Sequence, residues 1–202
     1  MLVYPGGTPL RPAIRGYSFF QNSLSDLGST VAWNGQANPG ALLHLAASII
    51  LALAGCATFV ALIRAYGSPP VTRRLARAAG AVVLVAGAGL VGAALTPPDR
   101  YAAFHGRFSL LAVGLFPLAT ALLTLATALS PRIRRLVPVS WLVLTAVVVA
   151  WVSMMLTARP TTDLELAIPV TLQKITCITL VATLILQGWE AEHPRTAIDV
   201  SR

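Results

Sequence analysis

The chain has 202 residues, of which 56% are hydrophobic and only 11% charged, with a formal net charge of +8 and a mean hydropathy of +0.74. A soluble domain carries about 25% charged residues, so this chain lacks the polar surface to dissolve. The excess of arginine does not mark a nucleic-acid binder, because the arginines sit in short stretches beside apolar runs, where they set topology and meet lipid headgroups.

The first forty residues do not span a membrane. Pro5-Gly6-Gly7, Pro9, Pro12, Gly16 and Asn38-Pro39-Gly40 mark turns, and Tyr17, Phe19, Phe20 and Trp33 punctuate the stretch. That mix predicts a segment, residues 1–40, lying on the membrane surface with its rings at headgroup level. It lacks the basic start and apolar core of a signal peptide.

Five apolar runs follow, about Ala41–Ile63, Leu75–Leu95, Phe108–Leu129, Val137–Leu156 and Ala167–Gly188. Each is long enough to cross a bilayer as a helix, so the fold class is all-α, a polytopic transmembrane bundle of five spans over residues 41–189. Arg64, Arg73, Arg74 and Arg77 lie between runs one and two, and Arg132, Arg134 and Arg135 between three and four. Runs two and three are separated by Asp99, Arg100 and Arg107, and runs four and five by Arg159, Asp163 and Glu165. The positive-inside rule then puts the first and third connections and the tail, residues 190–202, in the cytoplasm of a cell whose inner membrane holds the protein. The N-terminal segment and the second and fourth connections face outward.

Run two carries Ala88–Gly92 and Gly89–Ala93 at small-xxx-small spacing, a face for close helix packing. Run three holds Pro117 mid-span, which frees a carbonyl that Thr120 is placed to help satisfy. Run five is the polar one: Gln173, Thr176, Thr179, Thr183 and Gln187 recur every three or four residues and so share one face, expected to point into the bundle. Cys56 and Cys177 both lie in apolar runs and read as packing residues rather than a disulfide.

Lys174 is the chain's only lysine and sits about seven residues into run five, roughly 10 Å along a helix. A cation there costs roughly 2.5–3.5 kcal/mol on insertion scales. Two resolutions are open: its stem snorkels the ammonium to the headgroups, or the ammonium pairs with Asp26 or Asp99. The predicted topology collects further polar groups at the same end. These are Asn22, Ser23, Ser25 and Asp26 in the N-terminal segment, His44 at the start of run one, Asp99 and His105 in the second connection, and Gln173. Local roles compete with functional ones. Ser23 and Asp26 have capping-box spacing, Gly28 can stop a short turn, and Asp99 can cap the helix that follows it. Three histidines without diagnostic spacing do not make a metal centre, and Ser23 or Ser25 with His105 and Asp99 lacks the nucleophile elbow of a serine triad. No metal or cofactor is expected.

Asn22-Ser23-Leu24-Ser25-Asp26-Leu27-Gly28, the Pro98-Asp99 to His105 connection and the Gln173-Lys174 pair together resemble the domain of unknown function 998 family of prokaryotic multi-spanning membrane proteins. Asn22, Ser25, Asp26, Leu27 and Gly28 match that family's first motif, Asp99 and His105 its second, and Gln173 with Lys174 its third, with lysine where arginine is common. More remotely the layout is similar to the Frag1/DRAM/Sfk1 group. The resemblance implies no activity. It also implies a helix before the Asn–Gly loop, so either a first span precedes Met1 in the parent fold or this is a five-helix variant.

These residues imply an outward-facing polar pocket built from Asn22, Ser25, Asp26, Asp99, His105, Gln173 and Lys174, holding a lipid headgroup or another small polar ligand with Lys174 on an anionic group. Two alternatives stand beside it. One is a hydrolase-like enzyme acting on a lipid or envelope substrate, with His105 as acid–base and Asp99 or Asp26 orienting it. The other is an accessory subunit of a larger membrane complex. Membrane lipids are the expected partners, with other membrane proteins or a second copy of the chain as further ones and nucleic acid excluded.

Overall fold

A computed structural model describes residues 2–65, 70–131 and 133–193. Arg132 and the tail from residue 194, both used above to set orientation, lie outside the described residues, as does the side chain of Arg64. The order is a short 3-10 turn, Ser25–Gly28, then α1 (Ala41–Ala65), α2 (Pro70–Leu95), α3 (Ala102–Ala128), α4 (Leu136–Thr157) and α5 (Asp163–Glu192). All five helices are long and apolar enough to cross a membrane. The described residues hold no strand, only isolated bridges pairing Gly6 with Arg15 and Val31 with Ala37. This is a multi-pass membrane protein.

The helices after α1 start earlier than the apolar runs. The α2 helix begins at Pro70, suited to a first turn because its missing N–H would be an orphan there. The α5 helix begins at Asp163 behind a capping box, in which the Thr162 hydroxyl takes the Glu165 N–H and the Glu165 carboxylate takes the Thr162 N–H. Polar first turns of this kind stand at the interface, before the hydrocarbon-facing pattern starts.

Each helix packs on its sequence neighbour, and α2 and α3 approach most closely. A Cβ placed on Gly89 would lie 2.8 Å from the Ala112 nitrogen, and one on Gly92 would lie 2.5 Å from the Phe108 ring. The small face of run two is therefore the α2–α3 contact. The core centres on α4, where Trp141, Leu144 and Val148 are sealed against Phe59, Ala76, Val83, Ala119 and Leu123. Phe59 and Trp141 meet edge to face at 6.1 Å. In lipid, where apolar surface gains nothing by leaving the solvent, such close van der Waals packing and interhelical hydrogen bonds hold helices together.

The polar stripe of α5 turns inward as its spacing requires: Thr176, Thr183 and Gln187 are buried, while Ile178, Val181 and Ile185 face out. The Gln187 side-chain oxygen accepts the buried Trp141 indole N–H at 2.9 Å. In α3 the Thr120 hydroxyl donates to the carbonyls of Phe116 and Pro117. It does not reach the carbonyl one turn before Pro117 at Val113, so its expected role in repairing that turn is not the one it takes. Cys56 and Cys177 are both free.

One end of the bundle gathers the N-terminal segment and the second and fourth connections. Arg11 pairs with Asp163 at the start of α5, and Thr30 and Val31 bind Asp99 between α2 and α3. The starts of α2 and α4 lie at the opposite end.

Candidate functional site

The N-terminal segment is folded around Asn22, which is fully buried. Its side-chain oxygen accepts the Ser18 N–H at 2.9 Å, and its amide donates to the Gly7 carbonyl at 2.8 Å and to Asp26 Oδ2 at 3.1 Å. Its backbone carbonyl accepts the Tyr17 hydroxyl at 2.8 Å and the Lys174 ammonium at 2.8 Å. A buried amide is stable only when such partners are complete. Gly7 makes the crossing possible: its φ is +84°, and a Cβ there would come within 2.7 Å of Trp33.

Asp26 is 9% exposed and closes the 3-10 turn. Its Oδ2 accepts the Ser23 N–H at 2.8 Å while the Ser23 hydroxyl accepts the Asp26 N–H at 3.2 Å, so the capping-box spacing forms the reciprocal pair it suggests. Its Oδ1 accepts the Trp33 indole N–H at 3.1 Å. Ser25 is tied sideways, its hydroxyl 3.0 Å from that of Ser23. Gly28 does not end the turn by adopting a positive φ. It is small because the His44 ring lies where its Cβ would be, 2.6 Å away.

Gln173 and Lys174 hold this assembly from α5. The Gln173 oxygen accepts the Leu24 N–H at 2.8 Å. Lys174 is only 4% exposed, so it does not snorkel into the headgroups. Its ammonium also sits 5.0 Å from the centre of the Phe19 ring and 5.5 Å from that of Tyr17. Among the described residues it forms no ion pair with Asp26, Asp99 or any other carboxylate. The buried cation is satisfied by two backbone carbonyls, those of Asn22 and, at 3.5 Å, Val170, and by two aromatic faces, a third solution to the cost of its position.

Asp99 leaves the start of α3 uncapped, where Tyr101 takes the N-cap position without a side-chain bond. Its carboxylate turns instead to the N-terminal segment, taking the Thr30 N–H at 2.9 Å, the Thr30 hydroxyl at 2.6 Å and the Val31 N–H at 3.1 Å. Partial burial pushes its pKa up, but the Thr30 and Val31 donors outweigh this and hold it below the usual carboxylate value. Arg100 supports the clasp through Nε to the Thr30 hydroxyl at 2.9 Å. Burial, then the Asp26 charge, push the Tyr17 phenol well above its ordinary value, so it stays protonated and donating.

His105 lies elsewhere. Its Nδ1 is 3.0 Å from the Ala93 carbonyl and 2.9 Å from that of Thr96, both acceptors only, so Nδ1 carries the proton and the ring closes off the end of α2. Among the described residues no group of His, Cys, Asp and Glu side chains is placed to hold a metal ion.

An open cleft of ≈ 390 Å³ lies between the N-terminal segment and the second connection, with Asp26, Val31, Trp33, Pro98 and Asp99 on its walls. Of the residues singled out in the sequence it collects Asp26 and Asp99. Asn22, Ser25, Gln173 and Lys174 stand behind it, fixing the loop that forms one wall. Thr30, Trp33 and Tyr17 are the partners of these side chains that the sequence did not single out, since only the aromatic content of the segment pointed toward two of them.

The family model described as Protein of unknown function (DUF998) matches residues 10–187. The chain belongs to that family. No curated protein and no solved structure matches it. In this DUF998 protein the three motifs meet in one object: a surface segment clasped to the bundle by Asp99 on one side and by Gln173 and Lys174 on the other.

Proposed function

We propose that this DUF998 protein is a binding protein whose cleft takes a lipid headgroup or a similar small polar ligand through its cationic group. One observation carries the reading: Asp26 and Asp99, from segments 73 positions apart, reach the same cleft beside the Trp33 ring. Asp99 accepts three donors and Asp26 three, while a carboxylate offers about four lone-pair sites, so each keeps residual acceptor capacity. Two fixed anions beside an indole suit an ammonium, by Coulomb attraction and by the ring's quadrupole. The cleft volume falls within the range of small-molecule sites, about 300–1,000 Å³. Lys174 is walled off behind Asn22, so the anionic group that the sequence assigned to it gives way to a cationic one at the carboxylates.

The arginine distribution supports an inner-membrane orientation with this cleft outside and the tail in the cytoplasm. The enzyme alternative draws no support from His105, whose Nδ1 proton is committed to the end of α2 and which is not on the cleft wall. The accessory-subunit alternative is favoured by one fact, that the motif residues Asn22, Asp26, Asp99, Gln173 and Lys174 are already engaged in holding the segment.

Native mass spectrometry of the detergent-purified protein decides between them. Wild type is expected to retain an ammonium-headgroup lipid that Asp99→Asn and Trp33→Ala lose. Wild type free of such lipid, or an adduct indifferent to both substitutions, would overturn the binding reading. A stable larger complex, unchanged by either substitution, would establish the subunit reading in its place.

A further inference from the structure

Among the described residues, the end of the bundle opposite the cleft has an unbalanced charge. The α2 and α4 helices both start there, and each N-terminus carries the positive end of a helix dipole, about half an elementary charge. Neither has an acidic residue in its first turn. The α5 start at the other end shows what this chain does when a helix terminus is balanced from within, with Asp163 and Glu165 in the first turn. At the α2 start stand Arg73, Arg74 and Arg77 instead, all exposed, and exposed Arg135 precedes α4. Like charges on a helix N-terminus repel its dipole, so these positions are unfavourable unless an anion covers them.

The described residues supply little of that anion. Glu190 accepts the Arg134 N–H at 3.0 Å and approaches its guanidinium at 3.8 Å, which uses one buried carboxylate on one arginine. Among the described residues Arg73, Arg74, Arg77 and Arg135 form no ion pair. Ala76 of α2 and Val137 of α4 belong to one buried cluster, and both arginine-bearing helix starts stand at this end of the bundle. Beside the guanidiniums lie exposed apolar groups: Val71 one helical turn from Arg74, and Leu136 next to Arg135.

We propose that this end is a docking surface for an anionic phospholipid of the surrounding leaflet. The phosphodiester sits on Arg73, Arg74, Arg77 and Arg135 and the acyl chains run along Val71 and Leu136. A free phosphate satisfies only the charge, whereas the adjoining apolar side chains at the membrane boundary fit an amphiphile. The surface is independent of the cleft, at the other end of the molecule.

Thermal unfolding in a neutral detergent, with added phosphatidylglycerol or diacylglycerol of identical chains, tests this. Phosphatidylglycerol is expected to raise the Tm of wild type while diacylglycerol, which has neither the phosphodiester nor an ammonium for the cleft, does not, the difference shrinking with salt. Each basic residue at an anionic surface strengthens association roughly fivefold, so Arg73→Gln/Arg74→Gln/Arg77→Gln should bind phosphatidylglycerol on the order of 100-fold more weakly. Arg77→Gln alone, the milder change if the triple variant does not fold, should bind roughly fivefold more weakly. Asp99→Asn should respond as wild type does, separating this surface from the cleft. Equal effects of the two lipids on wild type, an undiminished response in the arginine variants, or an equal rise with inorganic phosphate alone would each overturn the proposal.

Discussion

The ammonium of Lys174 donates to the backbone carbonyl of Asn22 at 2.8 Å, across 152 positions of sequence. The bond joins the least expected residue of the last span to the centre of the surface segment. It fixes that segment directly, because the same Asn22 supplies the amide that orients Asp26.

Replacing Lys174 with Met should therefore loosen the segment more than the bundle. A hydrogen bond from a charged donor is worth about 1.5–3 kcal/mol, but Met also removes the cost of keeping a charge buried. The expected net loss is about 1–2 kcal/mol. Limited proteolysis should cut within residues 2–40 several times faster while the helices remain resistant. Unchanged cleavage would mean that the segment is held without Lys174.

Asn22→Ala should be more damaging than Lys174→Met. It leaves the Gly7 carbonyl, the Ser18 N–H and one Asp26 acceptor site without partners, in a buried or part-buried setting. Buried orphans cost about 1–3 kcal/mol each, with partial relief from entering water, so a loss of about 2–4 kcal/mol is expected. Thermal unfolding of the two variants side by side gives the ranking. The reverse order would put the centre of the segment elsewhere.

Acid should release the Asp99 clasp. The folded pKa of Asp99 lies below its ordinary value, so ionised Asp99 contributes stability that is fully present above the unfolded pKa of about 3.9 and disappears as pH falls through the folded one. Hydrogen exchange of the Thr30 and Val31 amides, corrected for intrinsic rates, should be level from pH 7 to about 5 and rise below about 4. Asp99→Asn should exchange about tenfold faster at pH 7 and lose most of that acid dependence. Protection that is insensitive to Asp99→Asn would remove the clasp from the account.

The spans were legible because length and apolarity alone define them, and the inward face of α5 because threonine and glutamine recurred at helical spacing. The starts of α2 and α5 were not, since at the interface helices continue through polar turns such as Thr162–Glu165 that the apolar pattern does not include. Within the site, the Ser23–Asp26 pair was readable because its chemistry is local. The cap that Asp99 could locally supply does not form, and its actual partners were not readable because Thr30 and Val31 lie about 70 positions away and carry no sequence mark. The reach of Lys174 into the segment depends on Tyr17 and Phe19 being folded over it, which only the tertiary structure reveals.

Small residues in the helices should separate into two groups. Gly89→Ala places a methyl 2.8 Å from the Ala112 nitrogen and 3.0 Å from the Phe108 carbonyl, both backbone atoms that cannot swing aside. Parting α2 from α3 should cost about 1–3 kcal/mol. Gly106→Ala and Gly188→Ala meet nothing within 4 Å and sit inside helices, so each should gain up to about 1 kcal/mol from propensity. Melting temperatures that fail to separate these variants would argue against the α2–α3 contact.

The Trp141–Gln187 bond offers a test inside the bundle. The indole is fully buried and its N–H points at the Gln187 oxygen, so Gln187→Leu leaves a donor with no water to turn to. Trp141→Phe removes the donor but keeps most of the ring. A double-mutant cycle isolates the pair, because the double variant has no orphaned group. Interhelical hydrogen bonds in membrane proteins average about 0.6 kcal/mol in such cycles and reach about 1.7. A buried bond at 2.9 Å, tying the centre of the core to the last span, should fall in the upper half of that range. Gln187→Leu alone should cost more than the coupling energy, since it also carries the penalty of the stranded N–H. A coupling energy near zero would mean that α5 is held to α4 by packing alone, and that the inward glutamine serves some other partner.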